Sequence, residues 1–304
     1  MNLVDQAEVN PFLERVKDLP FLGIGVSTEY GAFTADDALD LSELHRLYPA
    51  FAGFLEVGVE VAKGLDADAL AWVEQGRPTT YHFLDINLDE PADQDHVWLS
   101  SVGALIKELR PAWMCGDAGL WHFGPRDRGH MLLLPPILSR TSAEDMAEGI
   151  RALRTHLNIE VLPENPPGHV YIGDLHLLDF FGELCELADT GMLLDVAHLA
   201  LYQNTMGYDA LEALDRFPLE RIVEVHIAGA SAQVVDGLEI LEDDHTVNVL
   251  PETWQILEWL APRMPNLRAV VFECERNRLE ECVPGFRKIA DLLRATPFGA
   301  RAGL

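Results

Sequence analysis

Histidines and carboxylates recur in this chain at the ends of short apolar runs. In "RIVEVHIAGA", residues 221–230, Glu224 and His226 sit two apart, so an extended backbone points both to one side. "VVFECE" repeats the device with Glu273 and Glu275. "LEDDHTV" places Asp243 and His245 on either side of Asp244, and "LLDVAHL" offers Asp195 with His198 three residues on. "PEN" gives Glu164 and Asn165, "TTYHFLDIN" gives His82, "FLEVGVEV" carries Glu56 and Glu60, and "MCGD" ends in Asp117 just before Trp121 and His122. A buried charge is costly unless it is paired or bound to a metal. Imidazole, carboxylate and amide oxygen together suit iron, manganese or zinc. Carboxylates gathered at one rim repel and raise one another's pKa, and few lysines or arginines stand near these positions. Two or more bound cations are the chemistry this pattern points to. Taken singly, the residues have plainer roles: Asp117 and Asp195 could each cap a following helix, a lone histidine could be a hydrogen-bonded core residue, and "EDD" could be a solvated loop.

The elements that would gather these groups alternate strand and helix. Strand candidates fall at 21–28, 51–61, 79–87, 112–121, 159–165, 191–199, 221–229 and 268–275, with amphipathic helical stretches between them. "TSAEDMAEGIRALRTHL" reads as a helix with Ser142 as its N-cap and Asp145 three residues on. "EDDH" falls on the loop after the seventh strand, and a Gly/Pro/Arg-containing loop covers 122–136. Alternation of this kind predicts parallel strands in an α/β fold. Eight units at this length predict a single closed (β/α)8 barrel spanning 1–304, with an N-terminal extension over about 1–18 and a C-terminal tail over about 296–304. An open doubly wound sheet is the alternative, but no Gly-rich phosphate loop follows any strand. In a barrel the active site lies where the C-terminal ends of the strands emerge.

Composition narrows the partners. Lys and Arg number 22 against 50 Asp and Glu, a net charge of −28, which opposes binding to nucleic acid. The four cysteines, Cys115, Cys185, Cys274 and Cys282, are scattered without CxxC spacing, which suggests a reducing compartment and no structural zinc. Cys115 and Cys274 read as packing residues, Cys274 facing away from Glu273. The mixed, acidic N-terminus does not read as a signal peptide, and no apolar run approaches a membrane span. A cytoplasmic protein without membrane contact is expected.

With these motifs in order, the chain resembles the multinuclear non-heme iron-dependent oxidases, a family related to methanobactin-biosynthesis enzymes within the xylose-isomerase-like barrels. The resemblance runs from about residue 50 to residue 275. "YHFLDINL" is similar to the family's HGVGLSL and implies His82 as a metal ligand; "GDAGLW" implies Asp117, and "GHMLLLPP" implies His130 on the long loop. "PENPPGHV" matches L-E-N-x-S-S-Y, "LLDVAHL" matches L-L-D-V-N-N, "VEVHIAGA" matches G-E-I-H-L-A-G-H and "LEDDHTVNV" matches I-D-x-H-G-x-P-V. These imply Glu164, Asn165, Asp195, Glu224, His226, Asp243 and His245. "VVFECERN" implies Glu273. The sequence departs from the pattern at Gly58, Ala118, Ala197 and Ala230, where the family has His or Asn, and His198 stands where a second Asn is expected, either as a replacement ligand or pointing to the rim.

The resemblance implies an enzyme holding two or three iron ions in mixed Fe(II)/Fe(III) valence. It would use O2 to modify a side chain, often cysteine, of a ribosomally made precursor peptide, with Glu164, Asp195 and His245 at the reacting centre. A separate protein recognising the leader peptide is the implied partner. Two other readings stand beside it. One is a redox-neutral Mn- or Zn-dependent sugar isomerase, epimerase or hydrolase with Glu164 or Glu273 as general base. The other is a barrel that has lost its metals, as Ala118, Ala197 and Ala230 would suggest, and serves as a binding scaffold.

Overall fold

Eight parallel strands close into a ring: β1 (Gly23–Glu29), β2 (Leu55–Val59), β3 (Thr79–Phe83), β4 (Met114–Asp117), β5 (Val161–Glu164), β6 (Met192–Asp195), β7 (Ile222–Val235) and β8 (Ala269–Glu273). Each pairs with the next, and β8 returns to β1 through Gly23 and Ala269. Helices between the strands complete a (β/α)8 barrel. The computed structural model describes residues 11–29, 38–124 and 132–304, so His130, Arg126 and Arg128 fall outside the described residues. Among those residues no helix is long and apolar enough to cross a membrane.

The strands are apolar on both faces because both faces are covered. One core, including Ile24, Val57, Tyr81 and Val225, fills the space between strands and helices. A second, smaller core lies inside the ring: Phe54, Trp113, Leu162, Leu193 and Val271, with Phe12 and Val16 from the N-terminal segment. That segment is therefore part of the fold. The backbone N–H of Phe12 donates to the Asp189 carboxylate at 3.0 Å, and the Arg15 guanidinium reaches Glu160 at 2.6 Å and Asp189 at 2.9 Å. At the other terminus, where a tail was expected, Pro297–Ala302 is a helix capped by Thr296, with Phe298 buried.

Two expectations need correction. The helix Arg140–Leu157 is capped by Ser139, whose side chain accepts from the N–H of Ser142; Ser139 has the extended backbone a cap requires, while Ser142 already lies in the first turn. And "EDDH" is not on a loop. β7 continues past the rim to Val235, turns at Asp236 and Gly237 (φ 51° and 83°), and returns antiparallel as Leu238–Thr246. A two-residue Asp-Gly loop is the turn that suits a hairpin's twist. The register breaks between Asp243 and Thr246, leaving Asp244 and His245 as a bulge, with His245 at φ 54°. Bulges re-aim side chains, and this one turns His245 back into the barrel.

The hairpin demands close approach at Gly229, where an added Cβ would lie 2.1 Å from the carbonyl oxygen of Thr246. Gly229→Ala is expected to cost about 1–3 kcal/mol, the usual range for an overpacked site. Urea unfolding of the two proteins checks this, and an unchanged midpoint would show that the hairpin shifts without cost.

Candidate metal centre at the barrel mouth

Besides β1, which ends in Glu29, four strands end on a carboxylate: Asp117 on β4, Glu164 on β5, Asp195 on β6 and Glu273 on β8. His82 is the next-to-last residue of β3, Glu56 projects inward from β2 and His226 from β7. The hairpin adds Asp243 and His245, and the helix Val196–Met206 adds His198 from its first turn. All but Asp195 and His226, which lie fully buried just behind the wall, line a cavity of about 240 Å³, walled also by Trp121, Leu133 and Pro167. Ring closure converges these groups, because inward positions on neighbouring strands stand side by side.

The contacts are short and shared. His82 Nε2 lies 2.7 Å from Glu164 Oε2. His226 Nε2 lies 3.1 Å from Glu56 Oε1, and its Nδ1 lies 3.4 Å from both Glu164 Oε1 and Glu273 Oε1. His198 sets Nε2 3.0 Å from Asp243 Oδ2 and Nδ1 2.9 Å from the Asn165 carbonyl oxygen. His245 sets Nδ1 2.8 Å from Glu275 Oε1 and Nε2 3.5 Å from Asp243 Oδ2. Three groups at the mouth each offer ligand atoms within 4.8 Å of one another: Glu56, His226 and Glu273; His82, Asp117 and Glu164; Glu164, Asp195 and His198. Glu164 belongs to two of them.

The donor set fits metal ions. Asp117 Oδ1, Asp195 Oδ2, Asp243 Oδ1 and Glu273 Oε2 are buried with no hydrogen-bond partner. Leaving so many polar atoms unsatisfied is costly unless something binds them. Arg276 is the one cationic Lys or Arg side chain among the described lining residues; it is 55% exposed and stands 3.7 Å from Glu275. Two of the imidazoles are oriented as metal ligands commonly are, with one nitrogen fixed by a carbonyl or carboxylate and the other facing the cavity: Asn165 O does this for His198 and Glu275 for His245.

Burial and mutual charge set the electrostatics of these residues. Burial pushes Asp117 up to about 7 and Asp195 to about 6, each partly offset by His198. Glu164 rises well above the usual carboxylate range through burial and the charge of Asp117. Burial acts against charge at Glu273 too, but His245 and His226 hold it down at about 2; in the same way His245 and His198 outweigh burial at Asp243 and depress it strongly. His198, His226 and His245 are all raised well above the ordinary imidazole value, because surrounding carboxylates overcome their burial. Imidazoles and carboxylates thus balance one another's charge across the mouth.

Not every expected residue faces the cavity. The Asn165 amide donates to the Asp195 carbonyl at 2.9 Å and accepts from its N–H at 3.0 Å, so it holds Asp195 in place. Glu224 points into the barrel a layer lower, where its Oε2 accepts from the Trp113 indole at 2.6 Å and its Oε1 has no partner; burial lifts it to about 8. Glu60 turns outward to Lys63. His122 pairs with Asp93 at 2.9 Å, away from the cavity. Ala118, Ala197 and Ala230 are all buried. Two contributors lay outside the expected ligand set. Glu56 contacts His226, and Glu275 orients His245; Glu56 within "FLEVGVEV" and the shared face of Glu273 and Glu275 were their signals, but nothing in the sequence separates a ligand from the carboxylate that braces one.

Asp195 does two jobs with its two oxygens. Oδ1 accepts from the His198 N–H at 2.6 Å, capping the helix, while Oδ2 is unpartnered. In the metal-free protein Asp195→Asn is expected to stay within a few tenths of a kcal/mol of the parent, since Asn caps as well as Asp, whereas Asp195→Ala loses about 1 kcal/mol. Both are expected to lower metal content. Equal destabilisation by the two substitutions in urea melts would show that the cap contributes nothing.

A protein-family model described as "RiPP precursor modification enzyme MbnB/TglH/ChrH" matches residues 39–293. A UPF0276 protein of Neisseria meningitidis serogroup B is 24% identical over 279 residues, 88% of this chain and 93% of the relative. One from Caulobacter vibrioides is 27% identical over 253 residues, 81% and 84% of the two chains. Among solved structures, a xylose isomerase domain protein from Planctomyces limnophilus matches with TM-score 0.55 at 12% identity, over 90% of this chain and 98% of that one. A xylose isomerase-like TIM barrel protein from Mycobacterium smegmatis, in complex with magnesium, matches with TM-score 0.54 at 12% identity, over 91% and 97%. The last two establish the barrel.

Proposed function

The chain belongs to the MbnB/TglH/ChrH family of RiPP precursor modification enzymes, and from that premise we propose that it is an oxidase that modifies a precursor-peptide side chain at two or three iron ions with O2. The supporting observation is the mouth itself, where carboxylates and imidazoles outnumber any local cation and several buried ligand atoms stand unpartnered. His82, Asp117, Glu164, Asp195, His198, His226, Asp243, His245 and Glu273 would hold the metals, with Glu56 beside His226. Iron bound there would supply one-electron oxidation of the substrate by O2.

The remaining work falls to the protein. Glu164, in contact with His82 and His226, keeps two ligand groups in register. Glu275 holds His245 with Nε2 toward the cavity, and Asn165 fixes both Asp195 and His198. Trp121, whose indole donates to the Asp117 carbonyl at 3.1 Å, joins Leu133 and Pro167 in an apolar wall that limits water around a reacting side chain. His245, with a side chain 27% exposed against 11% or less for His82, His198 and His226, borders the opening through which a peptide would enter. A cysteine is the side chain we favour as the target, in a cytoplasmic protein working with a separate leader-binding partner.

Elemental analysis of protein expressed with iron and purified without oxygen tests this. Two or more irons per chain, with O2 uptake on addition of Fe(II) and peptide, are expected. One zinc or manganese would favour a redox-neutral isomerase or hydrolase. No metal after reconstitution would leave a binding scaffold.

A further inference from the structure

The hairpin that delivers Asp243 and His245 has a second face that the metal centre does not use. Its return strand, Leu238–Thr246, is the edge of the nine-stranded sheet and pairs with β7 alone. Beyond the rim the hairpin stands clear of the barrel: Val234 is 73% exposed, Leu238 70% and Val235 50%. The loop after β5 lies alongside, joined through His169 and Glu242 at 3.3 Å, and adds Val170 and Ile172 at 67% and 65% exposure. A strand edge with a free row of backbone N–H and C=O groups is a template for another strand, and apolar patches rimmed by polar groups mark interaction sites. Neither Lys nor Pro occurs between Ser231 and Thr246; the bulge lies at the strand's lower end and the charges that guard the rest are all acidic, so they repel an acidic strand and admit a basic one.

We propose that this edge binds the substrate peptide as an added β-strand, one that is apolar at alternate positions and net positive in charge. Three observations select that occupant. The edge strand runs into the cavity, its lower end carrying Asp243 and His245, so a chain paired along it is led to the candidate centre. Charge is complementary: Asp236, Glu239, Glu242 and Asp244 lie on the hairpin with no Lys or Arg to balance them. Main-chain pairing tolerates varied side chains, with alternate residues read by pockets; a peptide held this way presents one residue to the mouth while its neighbours stay on the edge. The inference rests on the reading of the protein as a peptide-modifying enzyme and adds where and how the peptide docks.

The test uses two fluorescent decapeptides, one alternating Val with Lys and the other Val with Glu, titrated against the full chain. Fluorescence anisotropy gives affinity, and amide hydrogen exchange is followed over 238–242. The Val/Lys peptide is expected to bind at least tenfold more tightly than Val/Glu and to slow exchange on the return strand. A Leu238→Lys/Glu239→Lys double variant is expected to lose that binding tenfold or more with metal content unchanged. Equal binding of both peptides, binding unaffected by the double variant, or unprotected edge amides overturns the proposal. So does sedimentation showing that the edge is covered by a second copy of the chain, or protection that appears only with a folded partner protein. Failure of the oxidase reading is separable: it shows as absent iron and O2 uptake, and leaves peptide binding at the edge intact.

Discussion

Glu164→Gln is expected to remove at least one metal ion from the purified protein and to reduce peptide oxidation to background. Glu164 is the last residue of β5, fully inside the barrel, 2.7 Å from His82 and 3.4 Å from His226. It contributes an oxygen to two separate ligand groups, one with His82 and Asp117, the other with Asp195 and His198. Its loss should therefore be felt at two positions, while a single-group ligand such as Glu273 should be felt at one. Disturbing only a ligand's hydrogen-bonding neighbour typically costs roughly 10- to 100-fold in metal affinity or activity; substituting a shared ligand should exceed that. Glutamine keeps the volume, so a folded, metal-poor protein is the expected product. Metal analysis and turnover of the same preparation check it. Full metal content in the variant would show that Glu164 is a brace for His82 and His226 and no ligand.

Metal removal should destabilise the whole barrel. The proposed ligands come from β2 through β8 and from the hairpin, so a bound cation would link elements far apart in sequence. Without it, Asp117, Glu164, Asp195 and their neighbours face each other across one cavity, and burial already lifts their pKa values. A ligand that binds only the folded state at about 1,000 times its Kd adds about 4 kcal/mol for each site. At about 2.1 cal/mol/K per residue, a chain of this length would lose roughly 6 °C in Tm for one ion removed. Differential scanning calorimetry with and without a chelator measures this. A chelator that leaves Tm unchanged would mean the described mouth holds no ion in the folded protein. Because Asp243 and His245 sit on the hairpin, its amides should also exchange faster in the metal-free protein.

His82, Asp117, Glu164, Asp195, His226 and Glu273 could be picked out because each stands at the end of an apolar run, where a barrel places its reactive groups. The hairpin was less visible. "VVDGLEI" contains the Asp-Gly turn between two apolar stretches, which is a hairpin signal, yet the acidic run after it reads equally as solvated loop. Ser139 and Ser142 are chemically equivalent as caps, and only backbone conformation separates them. Phe12 and Val16 look like an extension in sequence and turn out to close the floor of the barrel.

The sequence by itself determined the period-two inward placement of Glu224 with His226 and Glu273 with Glu275, and the alternation of strand and helix that closes eight units into a ring. Those are local properties, set by the pleat of a strand and the cover on both faces. It also determined the excess of carboxylates over lysine and arginine, a net charge of −28. Tertiary structure alone decided which carboxylate meets which imidazole. Glu164 and His82 are far apart in the chain and 2.7 Å apart in space. Whether an oxygen is a ligand, a helix cap or a brace depends on what surrounds it: Asp195 divides its two oxygens, Asn165 spends its amide on a backbone, and Glu224 is drawn down to an indole. Those choices are fixed by ring closure and by one bulge, neither of which is written in the residues that they position.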